Sequence, residues 1–153
     1  MDTNAAYVAG LIDGEGCIHI EKSRAGTASP SYRARVTVGM TAPAKHLLDE
    51  LSSQWGGSVR PLRAATTRWA AAFQWYTWGG SAVQMLEYLL PYLRLKRDQA
   101  EVALEVERIR DALSRRANGD AIWTPEAREA CEALKQRMHQ LNRKGPAPTV
   151  EVV

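Results

Sequence analysis

The sequence is poor in cysteine and histidine, which excludes several kinds of site. Among 153 residues there are two cysteines, Cys17 and Cys131, and three histidines. Two isolated cysteines provide no disulfide framework, and the histidines show no zinc-ligand spacing. We therefore expect both thiols to be reduced and no zinc centre to be present.

Long apolar runs are also missing. No stretch approaches the roughly 20 apolar residues that a membrane-spanning helix needs. The N-terminus lacks the basic-then-apolar layout of a signal peptide. The expectation is an intracellular protein, located in the cytoplasm, the nucleoid or an organelle, that is not secreted.

The positive charge of the chain is modest but unevenly distributed. The net charge is +3 and the pI is about 9.0. Residues 17–75 carry eight basic and three acidic side chains, whereas residues 99–153 carry nine of each. The excess positive charge therefore lies in one contiguous stretch, a distribution that suits a polyanionic partner.

Residues 5–16 form the stretch around which the chain is organised. Val8, Leu11 and Ile12 have the spacing of one apolar helical face, and Asp2, Thr3 or Asn4 can cap the helix start. Another face carries only small residues, at Ala6, Gly10 and Gly14, which allows a second backbone to approach closely. We expect the helix to end at the glycines around Glu15, in a left-handed or sharply turned backbone. A carboxylate there opposes the helix dipole unless a cation lies nearby.

The rest of the sequence alternates between strand-like and helical patterns. Apolar residues at every second position indicate two strands that flank the turn-rich residues 24–31 and form a hairpin. The later predicted elements are a helix opened by Thr41 and Pro43, strands over 58–63 and 68–78, a helix over 83–90, a long helix from Leu93 to about Arg116, and a last helix from the N-cap Thr124 to about Asn142.

This order, αββαββα with two trailing helices, predicts an α+β fold. Four antiparallel strands form a curved sheet backed by helices, with residues 1–143 as one domain and 144–153 as a flexible tail. In the strand over 68–78 we expect the core face to carry Trp69, Ala71, Phe73 and Trp75. The polar faces of the two hairpins carry six arginines, and such a β-surface fits a DNA major groove.

The segment Val8–Gly16, with the sequence Val-Ala-Gly-Leu-Ile-Asp-Gly-Glu-Gly, resembles the LAGLIDADG signature position for position. Residues 89–99 are similar to the Pro-aromatic-Leu-x-x-Lys segment of the single-motif members of that family of homing endonucleases. The resemblance covers roughly residues 5–115. One motif without a second copy implies a homodimer, in which the motif helices pack together through Ala6, Gly10 and neighbours such as Asp13.

The resemblance also implies a reaction. Two Glu15 carboxylates would meet at the dimer axis and, with the Gly14 carbonyl, would hold Mg²⁺. Mn²⁺ is expected to substitute, and Ca²⁺ to support binding without cleavage. The implied activity is Mg²⁺-dependent cleavage of both DNA strands across the minor groove of a long pseudo-palindromic site, leaving 3′ overhangs.

Three other positions match or depart from the family pattern. Lys96 matches the active-site lysine, which stabilises charge in the transition state. Asp13 matches an aspartate that is usually structural, so hydrogen bonding at the helix end is its favoured role. Met40 stands where relatives often place a polar, water-organising residue; Thr41 or Lys45 can substitute, or the register is shifted by one.

The exposed strand faces are the expected DNA contacts. The candidate residues are His19, Glu21, Ser23, Arg24, Arg33, Arg35, Thr37, Arg60, Arg63, Arg68, Gln74 and Tyr76. Arginine suits both guanine edges and phosphates, and Glu21 can accept a hydrogen bond from cytosine.

Two alternatives stay open. The first is an RNA maturase that assists splicing of a group I intron. The second is a DNA-binding regulator on the same scaffold that does not cut. The presence of both Glu15 and Lys96 favours a chain that cleaves DNA.

Overall fold

The computed structural model describes residues 1–24, 26 and 29–143. The predicted tail, 144–153, lies outside the described residues. In chain order the elements are α1 (Thr3–Glu15), β1 (Gly16–Ser23), β2 (Ser31–Thr41), a 3₁₀ turn (Ala42–Ala44), α2 (Lys45–Trp55), β3 (Ser58–Arg63), β4 (Ala72–Trp78), α3 (Gly79–Leu89), α4 (Arg97–Asp111) and α5 (Pro125–Leu141). This order confirms the predicted α+β arrangement with two trailing helices.

The four strands form one antiparallel sheet in the order β1-β2-β4-β3. Both predicted hairpins are present, and β2 pairs with β4 at the centre, from Arg35 opposite Trp78 to Thr41 opposite Ala72. Upstream of Arg35, the buried Glu107 of α4 accepts a hydrogen bond of 2.7 Å from the Ala34 backbone N–H. A helix side chain therefore continues the hydrogen bonding of β2 where its pairing with β4 stops.

The hydrophobic core lies between one face of the sheet and the helices. Trp75 of β4 is fully buried, and its indole N–H donates to the Gly56 carbonyl at 2.9 Å, which satisfies its polar atom. Each large buried apolar side chain contributes roughly 1.5–3 kcal/mol. The core includes Val8, Ile12, Ile18, Ile20, Val36, Val38, Leu48, Met85, Leu86, Leu89 and Val106.

Two helix starts have the predicted caps. The Asp2 carboxylate accepts from the Ala5 N–H at 3.1 Å, and the Thr124 hydroxyl accepts from the Ala127 N–H at 3.1 Å. Each cap satisfies a backbone donor that has no partner within its helix. Among the described residues, no helix is both long enough and apolar enough to cross a membrane.

The last helix is attached to the β1–β2 hairpin of the sheet. Glu132 of α5 accepts a hydrogen bond from the Tyr32 hydroxyl and forms an ion pair with Lys22 at 2.9 Å. The Asn142 amide, just beyond α5, donates to the Ile18 carbonyl at 2.8 Å. These contacts join the C-terminal helix to β1 and β2.

The predicted start of the fourth strand was wrong. The strand begins at Ala72 rather than Arg68, because a turn interrupts the chain before it: the Thr66 hydroxyl accepts from the N–H groups of Arg68 and Trp69. Trp69 consequently lies outside the sheet and is 55% exposed instead of facing the core. The core face expected for this strand holds for the buried Trp75 and the partly buried Phe73.

The boundaries of the two following helices also differ from the prediction. α3 begins at Gly79, where φ is +58°, instead of Val83. α4 begins at Arg97 rather than Leu93 and ends at Asp111. Its start is set by a long-range contact with Asp13, described below.

Candidate active site and nucleic-acid interface

Helix α1 passes directly into β1 at Gly16. The φ angle of Gly16 is −82°, so the prediction of a left-handed or sharply turned backbone at this helix end was wrong. The glycine is needed for close approach instead: a Cβ there would lie 2.7 Å from the Ile12 carbonyl oxygen and 2.9 Å from its Cα. Glu15 therefore ends the helix at the edge of the sheet.

The side chain of Lys96 lies at the C-terminal end of α1. Its ammonium donates to the carbonyl oxygens of Ile12, at 2.9 Å, and Asp13, at 2.5 Å. These carbonyls belong to the last turn, where the helix dipole is negative. A cation is thus present at this helix end, and the two carbonyls that it bonds belong to residues two and three positions before Glu15.

Asp13 connects the motif helix to the segment that carries Lys96. Its carboxylate accepts from the backbone N–H groups of Arg94 at 2.8 Å, Leu95 at 3.2 Å and Lys96 at 2.9 Å. These donors precede α4, so the carboxylate holds the chain in a non-helical path until Arg97. The hydrogen-bonding role favoured for Asp13 agrees with this geometry.

Glu15 differs from its neighbours because its carboxylate is exposed and, within the described part of the chain, makes no hydrogen bond or ion pair. The adjacent Gly14 is also exposed. Within the same residues, no group of three or more His, Cys, Asp or Glu side chains is placed to hold a metal ion. One chain thus offers a single free carboxylate and a terminal helix carbonyl.

The small-residue face of α1 is open. A Cβ added at Gly10 or Gly14 would meet nothing within 4 Å, and Tyr7 on the same helix is 55% exposed. Ala6 is half-buried. The helix therefore carries a flat exposed strip, whereas Val8 and Ile12 face the core.

The sheet face opposite the helices, here called the polar sheet face, carries most of the candidate DNA contacts. Strand pairing aligns His19 with Arg35 and Trp78, and Glu21 with Arg33. On the other hairpin, Arg60 lies opposite Gln74 and bonds its amide oxygen at 2.7 Å. Ser23 lies at the outer end of the same face, while Thr37, also on it, is only 8% exposed.

Arginines and aromatic rings alternate across the polar sheet face. The Arg35 guanidinium lies 4.5 Å from the Tyr76 ring centroid, and Arg60 lies 5.2 Å from the same ring. Tyr76 stacks on Trp78 at 5.5 Å, and Arg33 lies 5.1 Å from the Trp78 ring. Cation–π contacts of this kind hold the guanidinium groups in fixed positions.

Glu21 forms ion pairs with two of these arginines. Its carboxylate bonds Arg33 and, at 3.0 Å, Arg35. Burial raises the pKa of Glu21, but hydrogen bonds and charge from Arg33 and Arg35 outweigh this effect, so its pKa lies below the usual 4.5. Burial and the charge of Arg35 lower the pKa of His19 below 6.5, which leaves the imidazole neutral at pH 7.

Three candidate arginines lie off the regular strands or at their ends. Arg24 follows β1 with φ of +56°, Arg63 ends β3 after a bulge, and Arg68 lies in the loop before β4. The guanidinium groups of Arg63 and Arg68 both lie within 6 Å of Trp69, at 5.7 and 5.3 Å. This exposed cluster extends the basic surface beyond the sheet.

Sequence reasoning missed the exposed aromatics. Trp78 lies on the polar sheet face and is 38% exposed, although the alternation from Gln74 through Tyr76 already pointed to it. Trp69 had no such signal, because the turn that removes it from the strand depends on Thr66. At the end of β2, Met40 packs against the core, whereas Thr41 is exposed.

The fold and site define a class of α+β proteins. In this class one face of the sheet is basic, and a helix whose last residue carries a carboxylate ends at the edge of the sheet. No protein-family model matches the chain. DNA endonuclease I-CvuI of Chlorella vulgaris is 31% identical over 105 residues, which span 66% of this chain and 62% of that relative. The match thus covers less than two thirds of the relative's length.

Solved structures share the fold. I-CvuI in complex with a DNA target, in the presence of Mg and with the DNA not cleaved, has a TM-score of 0.73 and 24% identity, covering 95% of this chain and 86% of that one. The archaeal intron-encoded homing endonuclease I-Vdi141I, complexed with DNA, has a TM-score of 0.70 and 13% identity, covering 94% and 87%. These likenesses show that the chain has the fold of solved homing endonucleases, and residues 8–16 resemble the LAGLIDADG signature.

Proposed function

We propose that this chain is a site-specific DNA endonuclease that acts as a homodimer with Mg²⁺. The observation that carries the proposal is the end of α1. There Glu15 is exposed and makes no side-chain hydrogen bond or ion pair among the described residues, and the Lys96 ammonium bonds the last helix carbonyls, at the edge of an arginine-rich sheet face. A purely structural helix end has no need for an unpaired carboxylate in that position. The relative I-CvuI bears the name of a DNA endonuclease.

The polar sheet face is the proposed DNA-binding surface. Its guanidinium groups are held by Glu21, Gln74 and the aromatic rings, so less side-chain entropy is lost on binding. The Nε atom of Arg35 is buried without an acceptor among the described residues. A buried donor without a partner costs roughly 1–3 kcal/mol, and a phosphate or base oxygen would satisfy it.

The proposed homodimer packs the open strips of two α1 helices together through Ala6 and Gly10. This arrangement brings two Glu15 carboxylates to one axis and supplies the second acidic ligand that a single chain lacks. The chain spans 45% of the homing endonuclease I-SmaMI, at a TM-score of 0.66, which leaves room in that longer chain for a second unit of this size. Two-fold symmetry implies a pseudo-palindromic target.

The donor set at the axis fits Mg²⁺. A carboxylate and a helix-terminal carbonyl are hard oxygen ligands, and DNA phosphates and water would complete the shell. When bound, the metal activates water and stabilises the leaving 3′-oxygen. Solved I-CvuI–target complexes contain Mg or Ca in their conditions, which supports a divalent cation here.

The chain's own residues have separate tasks in this proposal. Glu15 and the Gly14 carbonyl would hold the metal, and Lys96 would place a positive charge where the phosphodiester gains negative charge. Asp13 positions Lys96 through the backbone of residues 94–96. Cleavage of one strand by each subunit across the minor groove would leave 3′ overhangs.

A cleavage selection tests the function. Purified protein is incubated with a randomised duplex library in Mg²⁺, in Mn²⁺, in Ca²⁺ and in EDTA. Enrichment of a long pseudo-palindromic site that is cut in Mg²⁺ and Mn²⁺, but only bound in Ca²⁺, is the expected outcome. Specific binding without cutting would favour the regulator, and neither binding nor cutting would favour the intron-RNA maturase.

The first variant to test is Glu15→Gln. It keeps the shape of the side chain but removes the charge that holds the metal, so we expect cleavage to be lost while specific DNA binding stays within about twofold. Glu129→Gln, an exposed carboxylate on α5, is the matched control. Single-turnover cleavage and fluorescence anisotropy measure the two properties. Cutting by Glu15→Gln at the wild-type rate would contradict the metal assignment.

A further inference from the structure

A second basic site lies away from the end of α1. A cavity of about 280 Å³ opens at the outer end of the β1–β2 hairpin. Its lining combines Ser23, Ser31 and Arg33 from the hairpin with Arg110 of α4, Trp123 and Arg128 near the start of α5. Arg24, Arg115 and Arg116 complete a set of six arginines, and Asp120 is the acidic residue in the lining.

Among the described residues, the acids near the cavity neutralise only part of this charge. Arg33 bonds Glu21, Arg110 bonds Glu107 at 3.3 Å, and Arg115 lies 3.6 Å from Asp111. The Asp120 carboxylate bonds the Asn118 amide at 3.0 Å.

Two guanidinium groups stand apart from these pairs. Arg116 makes no side-chain hydrogen bond or ion pair within the described residues, and the buried Nε of Arg128 has no acceptor there.

Arginines converging on one small cavity repel one another unless an anion lies between them. The planar guanidinium fork matches the oxygens of a phosphate, and a buried unpaired donor gains most from such an acceptor. The neighbouring serine hydroxyls can donate to the same group. We propose that this cavity binds a phosphate group, supplied either by the DNA backbone beyond the polar sheet face or by a free phosphate ion.

The position of the cavity favours the DNA backbone as the source. Strand β1 runs from Gly16, next to Glu15, to Ser23 at the cavity, and eight residues of strand span about 23 Å. At 3.4 Å of helix rise per base pair, this distance corresponds to about 7 base pairs from the cleavage centre. The cavity would thus contact a phosphate at the outer end of each half-site. This DNA source rests on the proposed function, whereas binding of a free phosphate does not.

The first experimental arm uses inorganic phosphate alone. The melting temperature of the wild type, of Arg116→Ala and of Arg128→Gln is measured in phosphate and in chloride at equal ionic strength. Phosphate is expected to raise the melting temperature of the wild type more than that of either variant. Arg137→Ala, an exposed arginine of α5 outside the cavity, is the control and should respond like the wild type.

The second arm uses labelled duplexes of about 10 and about 26 base pairs, because the cavities lie about 7 base pairs on either side of the centre and only the longer duplex extends past them. The wild type should bind the longer duplex about tenfold more tightly, with a steeper salt dependence. Arg116→Ala and Arg128→Gln should lose this gain while binding the short duplex as before. Arg116 is exposed, so its variant should keep the fold even if Arg128→Gln does not.

The outcomes separate the two sources and the two proposals. Loss of the length-dependent gain identifies the DNA backbone; a selective response to inorganic phosphate alone identifies a free ion. If wild type and variants respond alike in both arms, the phosphate site is refuted. Failure of the wild type to cut in the library selection would refute the proposed function but leave the inorganic phosphate arm valid.

Discussion

At the scale of single residues, we propose that one ammonium group at the end of α1 serves both structure and reaction. Lys96 neutralises the negative end of the helix by bonding two of its last carbonyls. The same contacts hold its charge at the end of the helix that carries Glu15, where a phosphodiester would lie in the proposed complex. The structural contribution is modest, because hydrogen bonds to charged groups are worth roughly 1.5–3 kcal/mol.

We expect Lys96→Met to reduce the cleavage rate by about 10²–10³-fold, the usual effect of removing one group that stabilises transition-state charge. DNA affinity should change little, since the ammonium is directed at the carbonyls that end α1. Single-turnover cleavage and binding in Ca²⁺ measure the two effects. Lys96→Arg is the control for charge. If Lys96→Met lowered DNA affinity and the cleavage rate by the same factor, the role of Lys96 would be structural only.

The lowered pKa of Glu21 predicts a pH-dependent contribution to stability. Because its folded pKa lies below the ordinary value of 4.5, the stabilisation is fully present above pH 4.5 and is lost as pH falls through the folded pKa. Glu21→Gln should therefore be less stable than the wild type at pH 7, and the difference should be smaller at pH 3. Urea unfolding at both values measures the gap. A gap of the same size at both would contradict the assignment.

At the scale of elements, the sequence was a good guide where local signals decide and a poor one where distant groups do. The caps at Asp2 and Thr124 and the alternation in β1 and β2 were readable because each depends on neighbouring residues. The start of α4 was not, since its delay to Arg97 results from Asp13, more than 80 residues earlier. Hydrogen bonds to the Thr66 hydroxyl likewise form a turn, so that β4 begins at Ala72 instead of Arg68.

The open strip of α1 leads to a prediction about assembly. A Cβ at Gly10 meets nothing in the monomer, and replacing a helical glycine removes a cost of about 1 kcal/mol, so Gly10→Leu should leave the monomer folded. In the proposed dimer the same leucine would separate the two helices. Sedimentation should therefore show a monomer with an unchanged circular dichroism spectrum. Gly80→Leu, at another open glycine, is the control, and a dimeric Gly10→Leu would refute the interface.

At the scale of the whole molecule, the two basic surfaces differ in how far the sequence revealed them. The polar sheet face follows from alternation within strands, so most of its members were predicted, with Trp78 the main omission. The arginine cavity draws on the hairpin, α4, the 115–121 turn and α5, which only the tertiary structure brings together. No local pattern marks Arg116 or Arg128 as members of one site.

The proposed dimer allows the two proposed active-site residues, Glu15 and Lys96, to be tested separately in mixed dimers. Lys96 bonds the end of α1 in its own chain, so a dimer of wild type and Lys96→Met should retain one competent site and nick one strand. The two Glu15 carboxylates are proposed to share metal at the axis, so one Glu15→Gln subunit should impair both cuts. The mixed dimers are purified through two different affinity tags and incubated with a supercoiled plasmid that carries the selected target. Nicking of one strand gives open-circular DNA, whereas cutting of both strands gives linear DNA. Linear product from the Lys96→Met mixture would show that one lysine serves both strands.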